Sequence, residues 1–143
     1  MPEIMTDFPF WDFNFYRMFI SHLTADRESA SNLKKVLVKY GVSCFVAHED
    51  IEPTKEWANE IERGLQSMDC ICAIISSDFN ASKWCDQEVG YALGRQVLMI
   101  PICKGCDPYG LMGKYQGVQS NKKNANQLAE DICKHSVKCV TTI

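Results

Sequence analysis

The chain has 143 residues and a formal net charge of -3, with 46% hydrophobic and 23% charged residues. That balance suits one globular domain with its own core, and it argues against a nucleic-acid partner, which needs clustered Lys and Arg to neutralise phosphates. No apolar run approaches the ~20 residues of a membrane-spanning helix, so no membrane partner is expected. Glu3, Asp7 and Asp12 stand where a secretory leader would be basic and then apolar, and a cytoplasmic location is therefore expected.

Residues 1–16 form an aromatic N-terminal segment with Phe8, Phe10, Trp11, Phe13, Phe15 and Tyr16. Such a segment is expected to pack on the domain, taken as residues 17–143, rather than stay free in water. From residue 17 onward strands alternate with helices. Residues 17–21 (RMFIS) read as a buried strand. Residues 26–40 read as an amphipathic helix with Leu33, Val36, Leu37 and Tyr40 on one face, closed by Gly41. Residues 42–47 (VSCFVA) are a second strand, followed by the loop His48–Pro53 (HEDIEP) and a helix from Lys55 capped by Thr54. In that helix Trp57, Ile61, Leu65 and Met68 share a face. Residues 70–75 are a continuously apolar third strand, 76–83 a polar loop, 84–95 a helix and 97–102 a fourth strand. Residues 103–120 read as loop with at most short structure, and 124–135 as a final helix.

This alternation predicts an α/β fold: a flavodoxin-like, doubly wound parallel sheet of four to five strands with helices on both faces. Ligands bind such sheets beyond the carboxyl ends of the strands, which selects the loops at 21–25, 48–53 and 76–83. Eight cysteines are many for this length. Most lie in strand-like runs, where reduced cysteine packs as a small hydrophobe, so neither a disulfide framework nor a metal site is expected.

The common nucleotide and hydrolase signatures are missing. There is no GxGxxG after the first strand, no GxxxxGK[ST], no GxSxG and no HExxH. What remains is the segment from Ser76 to Glu88 (SSDFNASKWCDQE). Trp84 and Glu88 are four residues apart on one helix and project from the same face near its N-terminal end. An aromatic plane beside a carboxylate suits a flat, electron-poor ring joined to a sugar: the ring stacks, and the carboxylate stabilises positive charge at the anomeric carbon. The same spacing also describes a core tryptophan and a solvated glutamate favoured by the helix dipole.

In order along the chain, Phe19-Ile-Ser-His22, Ala47-His-Glu-Asp-Ile-Glu-Pro53, Trp57-Ala-Asn-Glu-Ile61, the Ser76–Glu88 segment and Ile100-Pro101 resemble a TIR domain of the bacterial, NAD-cleaving type. The resemblance implies an enzyme that splits the nicotinamide–ribose bond of NAD, giving ADP-ribose or a cyclic or conjugated form of it. It further implies a role in antiphage defence, through NAD depletion or through a nucleotide signal sensed by a downstream effector. Glu88 is then catalytic, and Trp84, Ser21, His22, Asp50, Ser76 and Ser77 contact the substrate. NAD is the substrate rather than a cofactor, and no metal is implied. The loop His48–Pro53 would mediate self-association. Two other readings compete. In one the chain is a non-catalytic TIR–TIR adaptor, which needs no acid at position 88. In the other it is a phosphoacceptor receiver domain. That reading requires an acidic pair after the first strand and an Asp ending the third, whereas only Asp26 follows the first and the third ends in Ile75-Ser76.

Overall fold

The computed structural model describes residues 10–46 and 55–135. The loop His48–Pro53 with Asp50, the cap expected at Thr54 and the tail after 135 lie outside the described residues. In chain order the elements are β1 (Tyr16–Ser21), α1 (Arg27–Leu37), β2 (Val42–Val46), α2 (Lys55–Ser67), β3 (Cys70–Ile75), α3 (Lys83–Arg95), β4 (Leu98–Cys103), β5 (Val118–Gln119) and α4 (Ala125–His135). The five strands form one parallel sheet in the order β2-β1-β3-β4-β5.

The strands are apolar because both of their faces are covered, and their two-residue alternation divides the core. On one face Phe19, Ile71, Ala73 and Ile75 meet Trp57, Ile61 and Leu65 of α2 and Val89 and Ala92 of α3. On the other, Met18, Ile20, Cys70, Cys72 and Ile74 meet Leu33 and Leu37 of α1 and Ala129 and Ile132 of α4. Cys44, Cys70, Cys72, Cys85, Cys103 and Cys106 are free thiols. Burial pushes the Cys44 thiol up to about 12, as expected of a cysteine packed as a hydrophobe. Cys133 on α4 differs from the thiol reading: it is disulfide-bonded.

The helix expected over residues 26–40 is divided. A 3₁₀ turn (Thr24–Asp26) precedes α1, and a second one (Val38–Tyr40) follows it. Tightening of this kind is common at helix ends, where backbone groups lose their i→i+4 partners. Gly41 closes the turn with φ of 80°, a left-handed conformation that glycine adopts without a Cβ clash. The long connection after β4 contains a 3₁₀ turn (Gly110–Lys114) and the two-residue edge strand β5.

Two contacts help to set the position of α2. At the amino edge of the sheet Arg17 makes a bidentate pair with Asp69, using Nε and a terminal nitrogen at 3.1 Å each, and this anchors the α2–β3 turn beside β1. Over the sheet, Gly64 lets α2 approach closely: a Cβ there would lie 2.9 Å from the Phe45 ring and 3.3 Å from the Phe19 ring. Gly64→Ala is therefore expected to destabilise. Its overpacking cost of about 1–3 kcal/mol exceeds the roughly 1 kcal/mol that alanine gains over glycine in a helix. Urea unfolding checks this, and a midpoint equal to or above that of the parent would refute the close approach.

Candidate active site

The site is built where β1 and β3 end. These neighbours run parallel, with Ser21 opposite Ala73. Beyond them the chain departs to opposite faces, to α1 after β1 and to α3 after β3, which opens a crevice at the carboxyl edge. The segment between β3 and α3 makes a 3₁₀ turn (Phe79–Ala81) with Phe79 buried beneath it. Ser82 then caps α3, its hydroxyl accepting from the Cys85 amide at 3.2 Å. That cap fixes the start of the helix, so Trp84 and Glu88 occupy successive turns of one face.

Glu88 is 1% exposed, and the Ser21 hydroxyl donates to its Oε1 at 2.7 Å. A buried carboxylate needs such a donor to offset its lost hydration. One turn earlier, the Cys85 thiol donates to the His22 carbonyl at 3.3 Å. Burial pushes this thiol up to about 11, so it remains protonated and able to donate. The end of β1 is therefore joined to α3 at two successive turns.

Trp84, Gln87, Glu88 and Tyr91 of α3 face Ala58, Ile61, Glu62 and Leu65 of α2 across a cleft of about 290 Å³. Its walls are apolar and aromatic, with carboxylates at the floor (Glu88) and rim (Glu62), the mix expected of a small-molecule site. A larger depression of about 440 Å³ runs along the outer face of α1, between residues such as Arg27, Asn32 and Lys35. Among the described residues it is a furrow between solvated side chains of one helix and its preceding turn, with no second wall and no buried functional group.

The residues expected at the site divide into groups. Glu88, Trp84 and Ser21 come together. His22 lies beside them, 1% exposed, but its Nδ1 is 2.6 Å from the Leu23 carbonyl, so the ring is engaged within its own loop. Ser77 is exposed on the loop after β3. Ser76 points elsewhere: its hydroxyl donates to Asp26 Oδ2, whose other oxygen accepts from Lys104 Nζ at 2.7 Å. The motifs did not reveal this Asp26–Ser76–Lys104 cluster, since its members are 50 and 78 positions apart in the chain. The α2 wall was also missed. Tyr91 was detectable in principle, because it continues the 84–88 stripe by one more turn. Among the described residues no group of three or more His, Cys, Asp or Glu side chains could hold a metal ion.

The carboxylate of Asp26 is 5% exposed and its lysine partner 43%, so the pair is half screened. Asp26→Asn is expected to lower stability by about 1–2 kcal/mol, as for a hydrogen bond to a charged group. Lys104→Met should cost a similar amount, and the double variant should cost less than the sum of the two. Strict additivity in urea unfolding would show that the three loops are not coupled there.

The family profile described as TIR domain matches residues 18–133. Among solved structures, the chain is similar to the TIR domain of the Toll-related receptor TRR-2 from Hydra magnipapillata, at 23% identity and a TM-score of 0.60, covering 71% of this chain and 82% of that one. It is also similar to the TIR domains of the activated Roq1 resistosome, which directly recognises the pathogen effector XopQ. There the identity is 14% and the TM-score 0.54, over 83% of this chain and 70% of that one. No curated protein matches. These structural likenesses establish the fold, the profile match covers most of the chain, and the chain belongs to the TIR domain family.

Proposed function

We propose that this TIR domain cleaves the nicotinamide–ribose bond of NAD, with Glu88 as the catalytic carboxylate. One observation carries the reading: Glu88, almost wholly removed from bulk solvent, lines the same cleft as Trp84. Nicotinamide leaves as a neutral ring, so the protein has mainly to orient the ribose and stabilise positive charge as the bond lengthens. A carboxylate does this best where water is excluded, because its field is least screened there. Trp84 offers the plane for the ring. Ser21 holds Oε1 of Glu88 and so fixes the carboxylate's orientation; it acts as a positioning residue rather than as a contact to the sugar. Water or another nucleophile then adds to the ribose, releasing ADP-ribose or a form derived from it. An ADP-ribose-derived signal for a downstream effector, or NAD depletion in defence, follows from the same chemistry.

The cleft's volume of about 290 Å³ sits at the lower end of small-molecule sites, roughly 300–1,000 Å³. It suits the nicotinamide riboside half better than a whole dinucleotide. That size supports a site completed by a second copy of the chain, with self-association through the loop His48–Pro53. Nicotinamide release per molecule is accordingly expected to rise with protein concentration, and a rate strictly proportional to protein would count against it.

Incubation with NAD at high protein concentration should release nicotinamide. Glu88→Gln, which keeps the side-chain shape and an acceptor for Ser21, should lower the rate by at least about a hundredfold while leaving the fold intact. A parent protein that releases none even when assembled, or a variant with full activity, would reject the enzyme. The adaptor reading has one observation in its favour, since a purely structural carboxylate would also bond Ser21. It predicts that Glu88→Gln alters stability alone.

A further inference from the structure

Residues 10–15, just before β1, lie outside the family match, which begins at residue 18, yet Trp11 among them is packed into the domain. Trp11 is 6% exposed and belongs to the core on the α2/α3 side. Its indole N–H donates to the Ser67 hydroxyl at 2.8 Å, and that hydroxyl donates onward to the Arg63 carbonyl at 2.7 Å. Phe10 meets Phe45 at 4.9 Å and Trp57 edge-on at 5.8 Å between ring centroids. The Asp12 amide donates to the Ser43 hydroxyl at 3.0 Å, which ties the segment to β2.

Trp57 and Ser67 stand near the two ends of α2. The residues that wall the cleft, Ala58, Ile61, Glu62 and Leu65, all fall between them. From the α3 side the far end of α2 is held by hydrogen bonds, with Arg95 donating to the Leu65 and Met68 carbonyls at 2.7 and 3.0 Å. We propose that the aromatic segment at residues 10–12 is a brace that sets how far the α2 wall stands from Trp84 and Glu88, with Trp11 as its principal positioning residue. The brace rests on the reading of that cleft as the NAD site. It acts on the wall rather than on Glu88, which Ser21 holds from the end of β1. Loosening it therefore weakens substrate capture and spares the chemical step.

Two mild substitutions in the full chain test this. Ser67→Ala removes the acceptor and leaves the aromatic packing; Trp11→Phe removes the donor and keeps a ring. In each, amide hydrogen exchange in α2 is expected to quicken by about fivefold, the effect of one net side-chain hydrogen bond, while exchange in β3 is unchanged. KM for NAD should rise several-fold, with kcat within about twofold of the parent. If α2 and β3 quicken together, Trp11 is only part of the general core. If α2 loosens and KM holds, it does not position the wall; either result overturns the proposal. A parent chain that releases no nicotinamide rejects the NAD reading instead. The α2-selective exchange then still decides whether the brace exists.

Discussion

The parallel pairing of β1 with β3 governs the layout of this molecule. Two adjacent strands end side by side, with Ser21 opposite Ala73, and their chains leave toward opposite faces of the sheet. A gap at that edge is unavoidable, because right-handed crossovers place α1 and α3 on different layers. The contacts near it join what the topology separates. Glu88 and Cys85 tie α3 back to the end of β1. Asp26, five residues beyond Ser21, ties the same loop to Ser76 after β3 and Lys104 after β4. The short loop after β1 is thus fixed at both ends.

The Asp26 cluster bears on the receiver-domain comparison as well. A single acid after β1 is present, but its oxygens are already engaged by a serine and a lysine, and β3 ends in Ile75 rather than an aspartate. At this carboxyl edge the loops after β1, β3 and β4 are tied together by an internal ion pair. The open cleft lies to one side, between α2 and α3, and Glu88 forms part of its floor. A buried carboxylate costs stability unless hydrogen-bonded, and the Ser21 donor offsets that cost while holding the group in one orientation.

Close packing determines the rest of the cleft. Gly64 brings α2 down onto Phe45 and Phe19, and Arg95 grips the α2 end from α3. Residues 10–12 add a covering layer that the matched family span does not include. The cleft walls are therefore two helices held from three directions, and the cleft's width is a property of the whole packing on that face.

Much of this was legible in the residues themselves. The strand at 70–75 coincides with its continuous apolar run, because burial on both faces demands it. The helices at 55–67 and 83–95 follow from their apolar stripes, and the ordered motifs pointed to the family the profile match assigns. Placing Trp84 beside Glu88 needed only helical spacing. Other features were not legible. Ser76, expected at the substrate, serves Asp26; Ser21 serves Glu88 across 67 positions of chain; and Glu62 reaches the cleft from a different helix. Periodicity and capping are local, so sequence alone determined the elements, their faces and the candidate acid. Which side chains meet across the sheet edge depends on strand order, on crossover direction and on how closely α2 settles over Gly64, and only the tertiary structure decided it.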